Sequence, residues 1–269
     1  MPTALLIVEL LLLGSFAGFM AGLLGVGGGM LMVPFMTFLL TLEGVPAELT
    51  VKVAVATSLA TICFTSISSV RAHHVRGAVR WRIVKLLAPG IVVGSLLGAQ
   101  LAKVLPVQVL ALLFAAFVSF AATQMLIGRK PEPTRELPGG AGLFGTGGVI
   151  GLLSALVGAG GAFISVPFMT RCNVPIHHAV GTSAALGFPV ALAGTVGYIF
   201  AGRDLQGLPG GTLGFLYLPA LFVISIASVI TAPLGARAAH ALDMRQLRRV
   251  FAVLLYGLGG YMLYKGLTA

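Results

Sequence analysis

The chain carries one glycine-rich stretch twice. Residues 22–37 read GLLGVGGGMLMVPFMT, and residues 154–170 read SALVGAGGAFISVPFMT. From Leu24 and Val157 onward the copies run in register: each has a glycine-rich break, then a short apolar run, and then Val-Pro-Phe-Met-Thr. The repetition indicates an internal duplication, and a glycine-rich break at matching positions indicates a role that both halves share.

The composition is that of a membrane protein. Of the 269 residues, 58% are hydrophobic and only 9% are charged, whereas a soluble surface needs far more charge. Apolar runs of about 18 or more residues are typical of membrane-spanning helices, and such runs follow one another along the whole chain. The net charge of +10 arises in loops between these runs, where it reports orientation and not nucleic-acid binding.

Apolar runs divide between two similar halves. The first half has runs at 3–24, 29–42, 50–70, 83–104 and 107–127, and the second at 141–157, 162–170, 178–200, 213–234 and 247–267. Between the halves, GRKPEPTRELPGG (128–140) is polar and rich in proline and glycine, which is typical of a linker. We therefore predict a first transmembrane repeat at 1–127, a cytoplasmic linker at 128–140 and a second transmembrane repeat at 141–269.

The halves match beyond the opening stretch. AVATS (54–58) corresponds to AVGTS (179–183), and GAQLAKVLPVQVL (98–110) corresponds to GARAAHALDMRQL (235–247). The order of matching segments is the same in both halves, so the duplication extends over the whole repeat.

Loop charges predict that the two repeats are inverted. Basic residues concentrate at 71–85, in the linker and at 237–249, and the positive-inside rule places these segments in the cytoplasm. The loop at 201–212, equivalent to the first of them, has few basic residues and is expected outside. Each pair of runs around a glycine break must then return to the side where it began, by two crossings or as a re-entrant hairpin. We predict an all-α polytopic bundle of two inverted repeats, each a glycine-broken hairpin followed by three spanning helices.

Inverted repeats with broken helices are the architecture of secondary transporters. In that arrangement the two breaks meet near the bilayer midplane, where irregular backbone is tolerated only under cover of protein or a water-filled cavity. The short helix after each break exposes unpaired N–H groups and the positive end of its dipole, and glycine lets an anion approach closely. The alternative is that these glycines only allow close helix packing.

Two pairs of hydroxyl residues lie at matching mid-helix positions. Thr57 and Ser58 correspond to Thr182 and Ser183. Their hydroxyls can donate to an anion without the cost of a buried charge, or they can bond to the helix backbone or to a neighbouring helix. Two histidine pairs, at 73–74 and 177–178, lack helical metal-ligand spacing, and we interpret them as interfacial.

The motifs resemble those of the TauE/SafE family. The resemblance rests on the duplicated Gly-x-Gly-Gly-(x)4-Val-Pro, on the Ala-Thr-Ser and Gly-Thr-Ser helices, and on SSVRAHHVRGAVRW (68–81), and it covers residues 14–267. Members are membrane permeases linked to sulfite, sulfonate and other organosulfur anions. The resemblance implies a multi-pass carrier of the bacterial inner membrane, a kind often described as an exporter.

The resemblance also implies substrate-binding residues at the two breaks and on the two hydroxyl-bearing helices. These are Gly25, Gly27, Gly28, Thr57, Ser58, Gly158, Gly160, Gly161, Thr182 and Ser183. The second repeat departs from the first, because Ala162 replaces Gly29 and the loop GRDLQGLPGG (202–211) lacks the basic run and the tryptophan. We therefore expect the two half-sites to be unequal.

The function predicted is secondary transport, by alternating access, of a small sulfur-containing anion such as sulfite or an organosulfonate. The alternative is a permease or channel for another small anion, such as a carboxylate. An enzyme is not expected, because the sequence has no Ser-His-Asp set, no intramembrane aspartate pair and no metal-ligand spacing. Expected partners are the anion and the lipid bilayer, without nucleic acid or a cofactor, and a coupling proton or sodium ion and a homodimer are left open.

Overall fold

A computed structural model of the protein describes residues 4–24, 28–127, 136–205, 207–208, 210–238 and 244–268. These residues form ten α-helices and one two-stranded hairpin. The elements in chain order are α1 (Ala4–Leu24), α2 (Gly29–Leu42), α3 (Ala47–Val75), α4 (Trp81–Val104), α5 (Val107–Ile127), α6 (Gly140–Val157), α7 (Ala162–Arg171), α8 (Ile176–Ala201), β1 (Thr212–Leu213), β2 (Leu216–Tyr217), α9 (Leu218–Ala238) and α10 (Met244–Thr268).

Helix lengths confirm the prediction of an all-α polytopic membrane protein. Among the described residues, eight helices are long and apolar enough to cross a bilayer, namely α1, α3, α4, α5, α6, α8, α9 and α10. The helices that follow the glycine breaks are shorter, with 14 residues in α2 and 10 in α7, whereas a crossing needs about 20. Each break therefore separates a long helix from a short one.

The apolar run at 213–234 is not helical throughout. The prediction of a helix is wrong for residues 213–217, because an antiparallel hairpin forms there. It pairs Thr212 with Tyr217 and Leu213 with Leu216. Gly214, in the connection between the two strands, has φ +57°, a backbone conformation that glycine adopts without strain. The helical part of the run begins only at Leu218.

The equivalent helices α3 and α8 pack against each other in opposite directions at the centre of the bundle. Leu59 of α3 lies against Gly194 of α8, and Ser66, later in α3, lies against Gly187, earlier in α8. Residues 51–60 of α3 are all buried. The two hydroxyl-bearing helices thus lie side by side and antiparallel.

The second pair of equivalent helices, α5 and α10, is antiparallel as well. Ser119 of α5 contacts Gly259 of α10, and the earlier residue Leu112 contacts the later residue Gly266. In each of these two pairs, helices that correspond in the sequence repeat therefore run in opposite directions.

The remaining long helices pair across the halves at glycines. A Cβ on Gly94 of α4 would collide with the backbone of Gly148 in α6, and a Cβ on Gly18 of α1 would collide with Ser228 in α9. The Ser228 hydroxyl also donates to the carbonyl oxygen of Gly14 at 2.9 Å. Small residues allow such close backbone approach between membrane helices.

These contacts define two units of mixed origin. The α1 unit consists of α1, α2, α3 and α9, and the α6 unit consists of α4, α6, α7 and α8. Each unit contains one glycine break and one long helix from the opposite half. The two units meet mainly along α3 and α8.

We predict that the loops α3–α4 and α8–α9 lie on opposite sides of the membrane, as inverted repeats require. Val75, the last residue of α3, and Leu213, in the connection from α8 to α9, are exposed apolar residues at 80% and 50% of their full accessibility, so Val75→Cys and Leu213→Cys leave the loop charges unchanged. In a background with Cys63→Ser and Cys172→Ser, an impermeant thiol reagent applied to intact cells should label Leu213→Cys and not Val75→Cys. Labelling of both or of neither contradicts the inversion.

Candidate functional site

The second glycine break joins two helix ends through left-handed residues. Gly158 ends α6 with φ +73°, and Gly161 precedes α7 with φ +75°. The first turn of α7 closes on the Gly161 carbonyl oxygen, which accepts the N–H of Ile164 at 3.1 Å and of Ser165 at 2.9 Å. Gly161 supplies no side-chain cap to this helix start, and the leading N–H groups of a helix are the ones that a ligand can satisfy.

The first break has a similar helix start. The Gly28 carbonyl oxygen accepts the N–H groups of Leu31 and Met32, both at 3.1 Å, and no side chain caps α2. The predicted site residues Gly25 and Gly27 lie outside the described part of the chain. What the structure describes of this half-site is therefore the helix start and not the break itself.

The start of α2 touches the end of α6 beside Ser58. The Ser58 hydroxyl, on α3, donates to the carbonyl oxygen of Gly158 at 3.0 Å and lies 3.4 Å from the carbonyl oxygen of Gly29. A Cβ on Gly29 would lie only 2.6 Å from the Gly158 carbonyl oxygen. The structure thus brings together the start of α2, the beginning of the second break and Ser58 of the first hydroxyl pair.

Hydroxyl groups also surround the start of α7. The Ser183 and Ser165 hydroxyl oxygens are 2.7 Å apart, and both side chains are buried. Ser154, in the last turn of α6, is fully buried, and its hydroxyl lies 3.0 Å from the position that a Cβ on Gly161 would take. The sequence analysis missed Ser154 and Ser165, although both lie inside the quoted stretch.

Thr57 and Thr182 bind the opposite half of the chain. The backbone N–H of Tyr217, just before α9, donates to the Thr57 hydroxyl at 3.2 Å, and the N–H of Arg80, just before α4, donates to the Thr182 hydroxyl at 3.0 Å. Burial and, to a smaller extent, the Glu43 carboxylate raise the pKa of the Tyr217 phenol. Each threonine caps a helix start; whether it also contacts an anion stays a prediction.

The histidine pairs lie around the loop between α3 and α4. His178 Nδ1 donates to the carbonyl oxygen of Ala78 at 3.1 Å, and Trp81 Nε1 donates to His74 Nδ1 at 3.1 Å. The rings of His177 and His178 are 4.1 Å apart. Within the described residues, no group of three or more His, Cys, Asp or Glu side chains is placed to hold a metal ion.

Basic residues near the membrane helices lie at helix ends. Arg71 is exposed near the end of α3, and Lys103 lies in the last turn of α4. Lys52 is buried, but its ammonium group donates to the carbonyl oxygen of Lys103 at 2.8 Å, so it ties the start of α3 to the end of α4. Glu9 is half-buried on α1. The atoms that immediately surround the two helix starts belong instead to glycine, serine and apolar residues.

Comparison with known proteins agrees with the fold and with the repeated motifs. A family model described as "Sulfite exporter TauE/SafE" matches residues 10–262. The chain belongs to the TauE/SafE family. It is therefore a multi-pass membrane transporter, since that is the class to which this family and its curated relatives are assigned.

Relatives of this TauE/SafE protein span bacteria and archaea. It is 36% identical to a "Probable membrane transporter protein" of Haemophilus influenzae over 247 residues, 91% of this chain and 93% of the relative. It is 25% identical to a protein of the same description in Methanocaldococcus jannaschii over 261 residues, 96% of each chain. It is 30% identical to YdhB of Bacillus subtilis over 207 residues, 74% and 79% of the two chains. No solved structure matches the chain.

We predict that Gly158 and Gly160 of this TauE/SafE protein differ in their tolerance of a methyl group. In Gly158→Ala the residue keeps a left-handed φ, and its Cβ meets Val33 at 2.8 Å and Val55 at 3.2 Å. We expect a loss of about 1–3 kcal/mol in stability. Gly160 has no left-handed φ, and its nearest neighbour is Ile62 at 3.7 Å, so Gly160→Ala should unfold at the wild-type temperature in detergent. Equal losses for both variants would contradict this account.

We predict that Thr182→Val lowers stability because it removes the acceptor of the part-buried hydrogen bond from the Arg80 N–H. The expected cost is about 0.5–1.5 kcal/mol, measured as a lower midpoint of thermal unfolding. Thr182→Ser keeps the hydroxyl and is the matched control, and Thr57→Val should behave in the same way through Tyr217. A Thr182→Val variant as stable as Thr182→Ser would show that the hydrogen bond across the halves contributes little.

Proposed function

We propose that this transporter is a secondary carrier of a small sulfur-containing anion, such as sulfite or an organosulfonate, and that it works as an exporter of the bacterial inner membrane. The family description, "Sulfite exporter TauE/SafE", supports the class of substrate and the direction. The observation that carries the proposal is the contact at Ser58 between the start of α2 and the end of α6, where the second break begins. Gly28 and Gly161, which precede α2 and α7, supply no side-chain cap to these helix starts.

The anion is held by neutral donors. Backbone N–H groups at the starts of α2 and α7 supply the partial positive charge of two helix dipoles. The nearest side-chain atoms around Gly29 and Gly161 belong to Ile62, Ser58, Ser154, Ile150 and Val190, which are apolar or neutral. In such water-poor surroundings, hydrogen bonds to an anion are stronger than in water. Because the site has no fixed cation, its affinity for the anion is low enough for release, as a carrier requires.

Alternating access follows from movement of the α1 unit against the α6 unit. Each unit is held together by close glycine contacts, and the two meet along α3 and α8 and at the two breaks. The antiparallel pairing of equivalent helices supports inverted repeats, in which the two halves can exchange conformations and so open the site to either side. The anion site lies at the boundary between the units.

The test of the function is a binding screen on the purified protein with sulfite, thiosulfate, sulfoacetate, taurine and sulfate, with acetate and succinate as carboxylate controls. Binding of a sulfur oxyanion in preference to the carboxylates supports the proposal. Reconstitution in liposomes then separates carrier from channel, because a carrier shows saturable flux and counterflow. Preference for a carboxylate, or flux that does not saturate, would overturn the assignment.

We predict that hydroxyl groups, and not basic side chains, determine the affinity for the anion. A hydrogen bond to a charged group contributes about 1.5–3 kcal/mol, so Ser58→Ala and Ser183→Ala should weaken sulfite binding about 10- to 150-fold. Arg71→Gln and Lys103→Gln should leave the affinity close to that of the wild type. Calorimetric titration of all four variants checks this.

Opposite results would identify a charged clamp in place of a site of neutral donors. If Arg71→Gln or Lys103→Gln abolishes sulfite binding while both serine variants bind normally, the mechanism is wrong. Ser58→Ala also removes the hydrogen bond to Gly158, so its unfolding temperature must be compared with that of Ser183→Ala before its affinity is interpreted.

A further inference from the structure

The two half-sites differ in hydroxyl groups that have no assigned role. We propose that Ser154 and Ser165 are substrate-binding residues, and that the start of α7 is the main binding half-site for the three-oxygen head group of a sulfite or sulfonate. This inference rests on the proposed function. It adds two binding residues, and it assigns most of the anion binding to the second repeat.

Ser154 is the first observation. Its side chain is fully buried, and its hydroxyl has no hydrogen-bond partner among the described residues. Buried polar groups are nearly always paired, so one that is not requires an explanation. The hydroxyl lies 3.0 Å from the Cβ position of Gly161, the residue that precedes α7, and therefore faces a helix start where an anion is favoured.

The backbone holds Ser154 in this place. Its carbonyl oxygen accepts the N–H of Gly158 at 2.9 Å and of Ala159 at 3.1 Å, and these bonds terminate α6. The same residue thus closes the end of one helix with its carbonyl group and directs its hydroxyl toward the start of the next. A binding group fixed in this way needs little reorganisation when the ligand arrives.

The pair of Ser165 and Ser183 is the second observation. Their hydroxyls are 2.7 Å apart, and both residues are 1% exposed. When one hydroxyl donates to the other, a single O–H of the pair remains available to a further acceptor. Ser165 lies in the first turn of α7, since its N–H bonds to Gly161. The donors are therefore the Ser154 hydroxyl, one hydroxyl of the Ser165–Ser183 pair and the backbone N–H groups at the start of α7, three sources that suit an ion with three oxygens better than a carboxylate with two.

The first half-site lacks these groups. In the register of the duplicated stretch, Ala21 stands where the second copy has Ser154, and Met32 stands where it has Ser165. The remaining hydroxyl of the first half-site, that of Ser58, already donates to the Gly158 carbonyl oxygen at 3.0 Å. The hydroxyl donors available to an anion are thus concentrated in the second half-site.

The test compares Ser154→Ala with Ser225→Ala in the purified full-length protein. Ser225, on α9, is the other buried serine whose hydroxyl has no partner in the described part of the chain, which makes it a matched control. We expect Ser154→Ala to weaken binding of sulfite and of methanesulfonate about 10- to 150-fold, and Ser225→Ala to leave both affinities unchanged. Neither change should lower the unfolding temperature of the anion-free protein, because neither removes a hydrogen bond.

Ser165→Ala provides a second variant with the same expected loss of affinity, and acetate titrated beside methanesulfonate checks the preference for three oxygens. Wild-type affinity for sulfite in both Ser154→Ala and Ser165→Ala overturns the inference and leaves the proposed function standing. A loss of affinity in Ser154→Ala with an equal loss in Ser225→Ala, or with a lower unfolding temperature without anion, also overturns it. If the wild type binds neither sulfite nor methanesulfonate, both the proposed function and this inference are wrong.

Discussion

Backbone polar groups have no water to bond to inside a bilayer, and the two glycine breaks are where this protein meets that constraint. A broken helix leaves N–H and carbonyl groups unpaired at membrane depth, which is tolerated only under cover of protein or a cavity. The Ser58 hydroxyl donates to the Gly158 carbonyl oxygen at the end of α6, while Gly28 and Gly161 supply no side-chain cap to the N–H groups at the starts of α2 and α7. The proposed anion site uses these N–H groups, whose partial positive charge favours an anion over a cation.

The same constraint explains why each half of the chain completes the other. The starts of α4 and α9 also expose backbone N–H groups, and the acceptors are Thr182 and Thr57, each from the opposite half. Glycine contacts reinforce the exchange, because α4 packs on α6 and α1 on α9. The result is two mixed units, the α1 unit and the α6 unit, each of which contains helices from both sequence repeats. A movement that kept each sequence repeat rigid would have to break both threonine bonds, whereas a movement between the mixed units keeps them.

Sequence alone predicts the helices and the position of the second helix break well, because both depend on local patterns, whereas the anion site stays a prediction. Long apolar runs correspond to helices that span by length, and the glycine clusters correspond to breaks. The hairpin at 212–217 escaped prediction, since its residues are as apolar as a helix and only the glycines at 211 and 214 distinguish it. The partners of Thr57 and Thr182 are 160 and 102 positions away, a separation at which one sequence carries no pairing signal. Ser154 was not predicted as a site residue for a related reason, because a hydroxyl can be recognised as unpaired only when its surroundings are known.

The energies of the contacts between the α1 unit and the α6 unit determine how readily the two units can move against each other. Two contacts between α3 and neighbouring parts of the α6 unit are neutral, namely the Ser58 bond to Gly158 and the 3.9 Å approach of Cys63 to Thr195. A neutral hydrogen bond contributes about 1 kcal/mol net, whereas removing one partner of a buried ion pair costs about 3–5 kcal/mol. In the proposed mechanism the boundary separates by breaking neutral hydrogen bonds and apolar packing, and the anion gains a hydrogen bond as Ser58 gives up Gly158. Exchange of one hydrogen-bond acceptor for another would keep the bound and free states of this proposed carrier similar in energy.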